Sequence, residues 1–240
     1  MEQKKQCLII TATIQPNSNF VAQTSIKDRR DDYLKVLEFY ANNFFGDIFF
    51  VENSSYHFSN DEDFSNLFKL KRIQLVEFPK SAEVEKGKGY QEFEVLDFMV
   101  SKLANNYDEF IKVSGRYLTV NFVKLIQQKN NGIIIDRHKK RKIAITSFFR
   151  CKVDVYQKTL KDCYQEVNDS KGIFVEHVVY SKLKHTDNKA IDLFNETPIY
   201  KGISGSYGGD LNRHPLKTKL RNMERYLLRL FNTKEFLIEY

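Results

Sequence analysis

The sequence predicts an α/β domain built on a mixed, mostly parallel sheet flanked by helices and closed by a C-terminal amphipathic helix. Three observations carry that expectation. The first fifty residues alternate apolar run, amphipathic run and apolar run, which is the order of a βαβ unit. A second amphipathic run, Tyr90–Leu103, leads into the apolar run Phe110–Val113. The chain has 240 residues, of which 42% are hydrophobic, so a sizeable core can form.

The elements follow in order. Cys7–Ile14 reads as a buried strand ended by Pro16-Asn17-Ser18-Asn19. Between Asp28 and Tyr40, residues Tyr33, Val36, Leu37 and Tyr40 share a helical face, with Asp28 as the expected N-cap. Asp47–Val51 is the second strand, Phe58–Phe68 a short acidic helix and Ile73–Phe78 the third strand. Lys80–Gly89 is polar. Phe93, Leu96, Val100 and Leu103 form the inward face of the next helix. Further on come a helix at Val120–Gln128, strands at Gly132–Ile135 and Ile143–Phe149, a helix at Val153–Glu166, and a strand ending at Val175. Leu216–Phe231 is the last helix, with Leu216, Leu220, Met223, Leu227 and Phe231 on one side. No change of composition marks a second domain. Residues 1–210 read as a ligand-binding body and 211–240 as a helical appendage of the same domain.

Net charge is +7, which favours anionic partners without choosing among nucleic acid, phosphorylated substrates and acidic lipid. The three cysteines, an odd count without a CxxC pair, fit a reducing cytosol better than a disulfide framework or a zinc site. No signal-like h-region and no run of transmembrane length occurs. The expected setting is cytoplasmic, with contact at the inner face of a membrane as an option. The five histidines lack ligand spacing, and no Asp-x-Asp ends a strand, so no metal ligands are assigned. P-loop, GxGxxG and GxSxG patterns are absent as well.

Six segments carry candidate chemistry. Glu52 and Asn53, at the tip of the second strand, suit ribose hydroxyls or a base edge, or form an ordinary turn. Lys86-Gly87-Lys88-Gly89-Tyr90 precedes a helix; its glycines permit close approach and its lysines add charge for a diphosphate, unless it is only a solvated loop. Gly115-Arg116-Tyr117 ends an apolar strand, where arginine grips phosphate oxygens bidentately or pairs with a carboxylate. Glu176 beside His177 suits a general base, or simply the first turn of a helix. Gly202–Gly209 suits an anion nest that closes over substrate, or a connector. Lys217, Arg221, Arg225 and Arg229 repeat every four residues as a basic ridge, which lies on anionic lipid or stands in solvent.

Taken in order, Arg30-Asp31-Asp32-Tyr33, Val51-Glu52-Asn53-Ser54, Lys86-Gly87-Lys88-Gly89-Tyr90 with Glu92, Lys112-Val113-Ser114-Gly115-Arg116-Tyr117, Val175-Glu176 and Gly202-Ile203-Ser204-Gly205 resemble a family of small bacterial glycosyltransferases of surface-polysaccharide (capsule and O-antigen) clusters. The resemblance implies a GT-A type fold with a Rossmann-like nucleotide half. It implies that Thr11, Glu52 and Asn53 hold the nucleoside. Lys86, Lys88, Gly89, Lys112, Gly115, Ser204 and Gly205 would complete the site for the nucleotide-sugar donor, a UDP-sugar as first choice. Arg116 would neutralise the leaving diphosphate, and Glu176 would deprotonate the hydroxyl of a glycan or lipid-linked acceptor in an inverting transfer. Ser114-Gly115-Arg116-Tyr117 stands where the family's metal-binding strand end would be, which leaves a manganese or magnesium ion without its usual ligands.

Two other classes compete. A nucleic-acid-binding module is compatible with the charge and the aromatics, but the basic residues are dispersed and no RRM, KH or helix-turn-helix signature occurs. A nucleotidyltransferase would need paired carboxylates for metals.

Overall fold

The computed structural model describes residues 5–16, 25–70, 72–202, 215–231 and 233–237. The opening unit is β1 (Gln6–Ala12), α1 (Ile26–Asn43) and β2 (Asp47–Glu52). Then come α2 (Glu62–Phe68), β3 (Ile73–Glu77), α3 (Lys88–Leu103) and β4 (Glu109–Ser114). Shorter pieces follow: β5 (Leu118–Thr119), α4 (Phe122–Ile126), β6 (Ile133–Ile134), the hairpin β7 (Arg137–His138) and β8 (Ile143–Ala144), and β9 (Phe148–Lys152). The chain continues through α5 (Val153–Thr159), α6 (Val175–Lys184), β10 (Ile191–Asp192), β11 (Tyr200–Lys201) and α7 (Pro215–Leu230).

Among the described residues, seven strands form the main sheet in the order β10-β6-β9-β4-β1-β2-β3. Its β3, β2, β1 and β4 are parallel, as are β10 and β6, while β9 runs against β4 and β6. This is the mixed, mostly parallel sheet that the sequence predicts.

Alternation along the strands divides the core into two layers. Cys7 and Ile9 face a layer with Phe93, Leu96 and Val100 of α3, Tyr156 of α5 and Val179 of α6. Leu8 and Ile10 face the opposite layer, with Tyr33, Leu37 and Tyr40 of α1, Phe64 of α2 and Phe122 of α4. Strands covered on both faces need apolar residues at every position, which is why β1 reads as an unbroken run.

Several expectations at element ends are corrected. Ser25 caps α1 by accepting the Asp28 N–H at 3.3 Å, and Asp28 lies in the first turn, where its charge favours the helix dipole. Phe58–Phe68 divides into a 3-10 turn and α2, whose N-cap is Asp61. The strand expected over Ile143–Phe149 divides into β8 and β9. The helix over Val153–Glu166 stops at Thr159, and a 3-10 turn at Cys163–Glu166 follows Asp162, whose φ is +60°. Val175 does not end a strand; it opens α6 after Gly172 turns the chain at φ +72°.

The largest correction concerns α7. Its basic ridge does not stand in solvent. Arg225 is 1% exposed and donates to Asp136 Oδ1 and the Phe194 carbonyl, both at 2.8 Å. Arg221 is also buried; it donates to Glu224 at 3.0 Å and lies 4.4 Å from the Phe236 ring centre. Two of the four ridge residues therefore anchor the helix, and Leu216, Leu220, Met223 and Leu227 point outward. No helix among the described residues is long and apolar enough to cross a membrane.

Candidate active site at the carboxyl edge of β1 and β4

β1 has β2 on one side and β4 on the other, and α1 and α3 belong to the layers on opposite faces. Helices that depart to opposite faces from neighbouring strands leave a crevice outside the strands' carboxyl ends.

The β2 side is a stitched floor. Ile14 N–H donates to Glu52 Oε1 at 3.1 Å, Gln15 N–H to Ser54 Oγ at 2.8 Å, and Thr13 Oγ1 to Asn53 Oδ1 at 2.6 Å. Glu52 also accepts the N–H groups of Ser54 and Tyr56, and it is 1% exposed. Its carboxylate is therefore committed to bracing two loops, which revises the direct nucleoside contact expected of it. Asn53 and the Thr13 backbone remain at the rim. Thr13 N–H donates to Tyr33 Oη at 2.9 Å, and Arg29 Nε donates to the Thr13 carbonyl at 2.9 Å.

Arg29 brings a second guanidinium toward Arg116. Burial lowers the Arg29 pKa, the Tyr33 hydroxyl opposes that, and the charge of Arg116 lowers it further. Arg116 is itself buried. It reaches this place because Gly115 lies flat on β1: Gly115 N–H donates to the Thr11 carbonyl at 2.9 Å, and a Cβ there would come within 2.6 Å of that oxygen and 2.8 Å of the Tyr33 ring.

Just before Gly115, the end of β4 carries a polar cluster. Lys112 is 0% exposed and donates to Glu92 Oε1 at 2.6 Å, Ser114 Oγ at 2.9 Å and the Thr146 carbonyl at 2.8 Å. Thr11 and Ser114 each donate to Glu92 at 2.8 Å. Burial alone would raise the Glu92 pKa; the Lys112 charge and three donors outweigh it and hold the carboxyl below its ordinary value. Thr11 and Lys112, expected to touch the donor, instead set the height and angle of the β4 end.

The α3 terminus revises another expectation. The free N–H groups of a helix start form an anion site, but here the Asp169 carboxylate takes it, accepting from Lys88 N–H and Gly89 N–H. Gly87, at φ +90°, admits it: a Cβ would stand 2.1 Å from Asp169 Oδ2. A Cβ on Gly89 would stand 2.9 Å from Val175, so that glycine joins α3 to the start of α6. Lys86 turns to Glu83 at 3.4 Å and lies over the Tyr90 ring. Lys88 feels the charges of the site. Its pKa is lowered chiefly by burial, with Glu92, Glu176 and Asp169 opposing the shift and Arg116 adding a smaller push downward.

Glu176 occupies the first turn of α6, half-buried. Burial is the main cause of a raised pKa, with Glu92 and Asp169 adding to it; its own N–H and Lys88 act against it. Gly202, at φ +138°, leaves β11 so close to the site that a Cβ would be 2.8 Å from the Arg116 carbonyl. Ser204 and Gly205 lie outside the described residues.

Among the described residues, no three His, Cys, Asp or Glu side chains gather as metal ligands. The donor set at the β4 end, a hydroxyl already bonded to Glu92 beside an arginine, suits an anion better than a divalent cation.

Lys88 thus feels the charges of both Arg116 and Glu176, although the three lie on separate elements. Asp169, Arg29 and Thr13 escaped the sequence reading. Arg29 had a signal: it shares the inward face of α1 with Tyr33, Val36 and Tyr40, an odd place for a charge. Asp169 had none, being far from Gly87 in the chain.

No family model matches the chain, and no curated protein matches it. Among solved structures, the fold is similar to that of a Desulfovibrio desulfuricans protein provisionally named a nucleotide-diphospho-sugar transferase, at 9% identity, over 80% of each chain, with a TM-score of 0.48. That likeness is too loose to lend a function, which has to come from the side chains.

Proposed function

We propose that this protein is a glycosyltransferase that moves a sugar from a nucleotide-diphosphate donor, a UDP-sugar as first choice, to a hydroxyl of a glycan or lipid-linked acceptor in surface-polysaccharide synthesis. The observation that carries the reading is the shared field of Lys88, Arg116 and Glu176 at the crevice between β1 and β4. Two cations there suit a diphosphate, and charge developing on a diphosphate leaving group is what a transferase of this kind must stabilise. The bond from the anomeric carbon to the phosphate oxygen breaks, and its electron pair leaves with the nucleoside diphosphate. The acceptor oxygen forms the new bond from the opposite face, and its proton passes to Glu176. A carboxylate with a raised pKa is the better proton acceptor. The Asn53 side chain on the β2 side offers an amide for the nucleoside.

The stitched loops, the Glu92–Lys112 pair and Gly115 all serve to hold Arg116 still. That rigidity supports a catalytic reading over a nucleic-acid surface.

The test has two parts. Thermal melting with UDP, GDP, CMP and dTDP compounds, each with and without manganese, should single out one nucleotide that raises the melting point. Glu176→Gln should then bind that nucleotide as before and lose several orders of magnitude in turnover, on the order of 10²–10⁴. Normal turnover by the variant would remove Glu176 from the chemistry, and a flat panel would remove the donor.

A further inference from the structure

We infer that the outward face of α7 is a docking surface for an anionic lipid membrane. Of the basic ridge that suggested lipid in the sequence, Arg221 and Arg225 are buried and would not touch it. The opposite face would. Leu216, Leu220, Met223, Leu227 and Leu230 follow a 4-3-4-3 spacing, so they form one seam along the helix. Met223 is 63% exposed, Leu227 51% and Leu230 63%; Tyr226 and Phe231 flank the seam at 65% and 78%. A seam of this kind normally faces a core. Here the core side is taken by ion pairs and by Leu228, which packs with Leu193 and Phe236. Contiguous exposed apolar surface marks an interaction site.

Charge chooses the occupant. The exposed charged residues of α7 are Lys217, Lys219 and Arg229, all positive. The one acid of α7, Glu224, is buried and paired with Arg221. A second cationic element adjoins: His138, whose Nε2 lies 3.3 Å from Arg221 Nη2, leads into the exposed turn Lys139, Lys140, Arg141 and Lys142. Among the described residues of α7, Lys217 and Lys219 flank the apolar stripe, and such a stripe beside exposed cations matches acyl chains beneath anionic headgroups. The same spacing would suit a second helix, but a second copy of this chain would set Lys217, Lys219 and Arg229 against like charges. The inference does not depend on the donor chemistry, because nucleotide binding is read separately.

The chain contains no tryptophan, so Met223→Trp adds a single fluorophore to the seam. With the full chain, vesicles of phosphatidylcholine containing about a third phosphatidylglycerol should bind at least about tenfold more protein than pure phosphatidylcholine vesicles. The indole emission should shift to the blue, and added salt should weaken binding. Met223→Glu with Leu227→Glu changes two exposed positions; it should abolish vesicle binding and leave thermal melting and nucleotide binding unchanged. Absence of binding, equal binding to both vesicles, or binding that survives the double substitution overturns the proposal. So does a dimer, seen by sedimentation, that the double substitution dissociates in a chain that ignores vesicles.

Discussion

Asp169 fills the space that a side chain on Gly87 would need, its Oδ2 lying 2.1 Å from the ideal Cβ position. The carboxylate thereby caps α3 from a segment more than eighty residues away, and ties the lysine-bearing helix start to the segment that leads into Glu176. Gly87→Ala meets both that contact and a φ of +90°. The expected loss is about 1–3 kcal/mol from the backbone alone, read by urea unfolding. A variant as stable as the parent would show that Asp169 moves aside at little cost.

Lys112 and Glu92 form a pair that neither partner can leave safely. Lys112→Met leaves the partly exposed Glu92 carboxylate without its counter-charge, and should cost about 1.5–3 kcal/mol by urea unfolding. Adding Glu92→Gln to it should restore part of the loss, because the stranded charge is gone.

The same pair sets an acid limit on stability. The folded Glu92 pKa lies below that of an unfolded glutamate, about 4.3. Between the two values the unfolded chain binds more protons, so stability rises with pH there. This contribution is complete above the unfolded value and disappears as pH falls through the folded one. Denaturant midpoints measured down from pH 6 should show it in the parent and not in the doubly substituted protein.

Arg225 and Asp136 are the corresponding pair under α7. Arg225→Met should cost about 3–5 kcal/mol, since Asp136 keeps its charge without its partner. Asp136→Asn in the same chain should recover part of it. If Arg225→Met melts like the parent, α7 is held by Leu228 and its neighbours instead.

Arg116→Ala should weaken binding of the selected nucleoside diphosphate by roughly 10- to 100-fold, the value of a charge-assisted hydrogen bond or two. Calorimetry reads this directly. The matching change at Lys86, which faces Glu83, should have little effect. Equal losses at both positions would restore the wider glycine-lysine cradle that the sequence suggests.

Much of the fold is legible in local pattern. β1 and β2 announce themselves because strands buried on two faces are apolar almost throughout, and α1 and α3 because their buried faces repeat at the helical period. Gly115-Arg116 was legible as a strand end, because a glycine and an arginine follow the mostly apolar run Phe110–Val113. Glu176 was found as a residue but misplaced, since three apolar residues before it look alike at the end of a strand and at the start of a helix. The α7 seam was found and its direction inverted.

Periodicity is a property of neighbours in the chain, so the residues alone were enough for the helices, the parallel strands and the glycine-arginine edge between β1 and β4. Which polar groups remain available to a ligand is a property of distant partners. Glu52, Thr11 and Lys112 turned out to be engaged within the protein, Asp169 arrived to occupy the start of α3, and Asp136 drew Arg225 inward and turned the leucines of α7 out. Each of these outcomes follows from one cost: a buried charge or polar atom must find a counterpart, and only the folded chain brings that counterpart within reach.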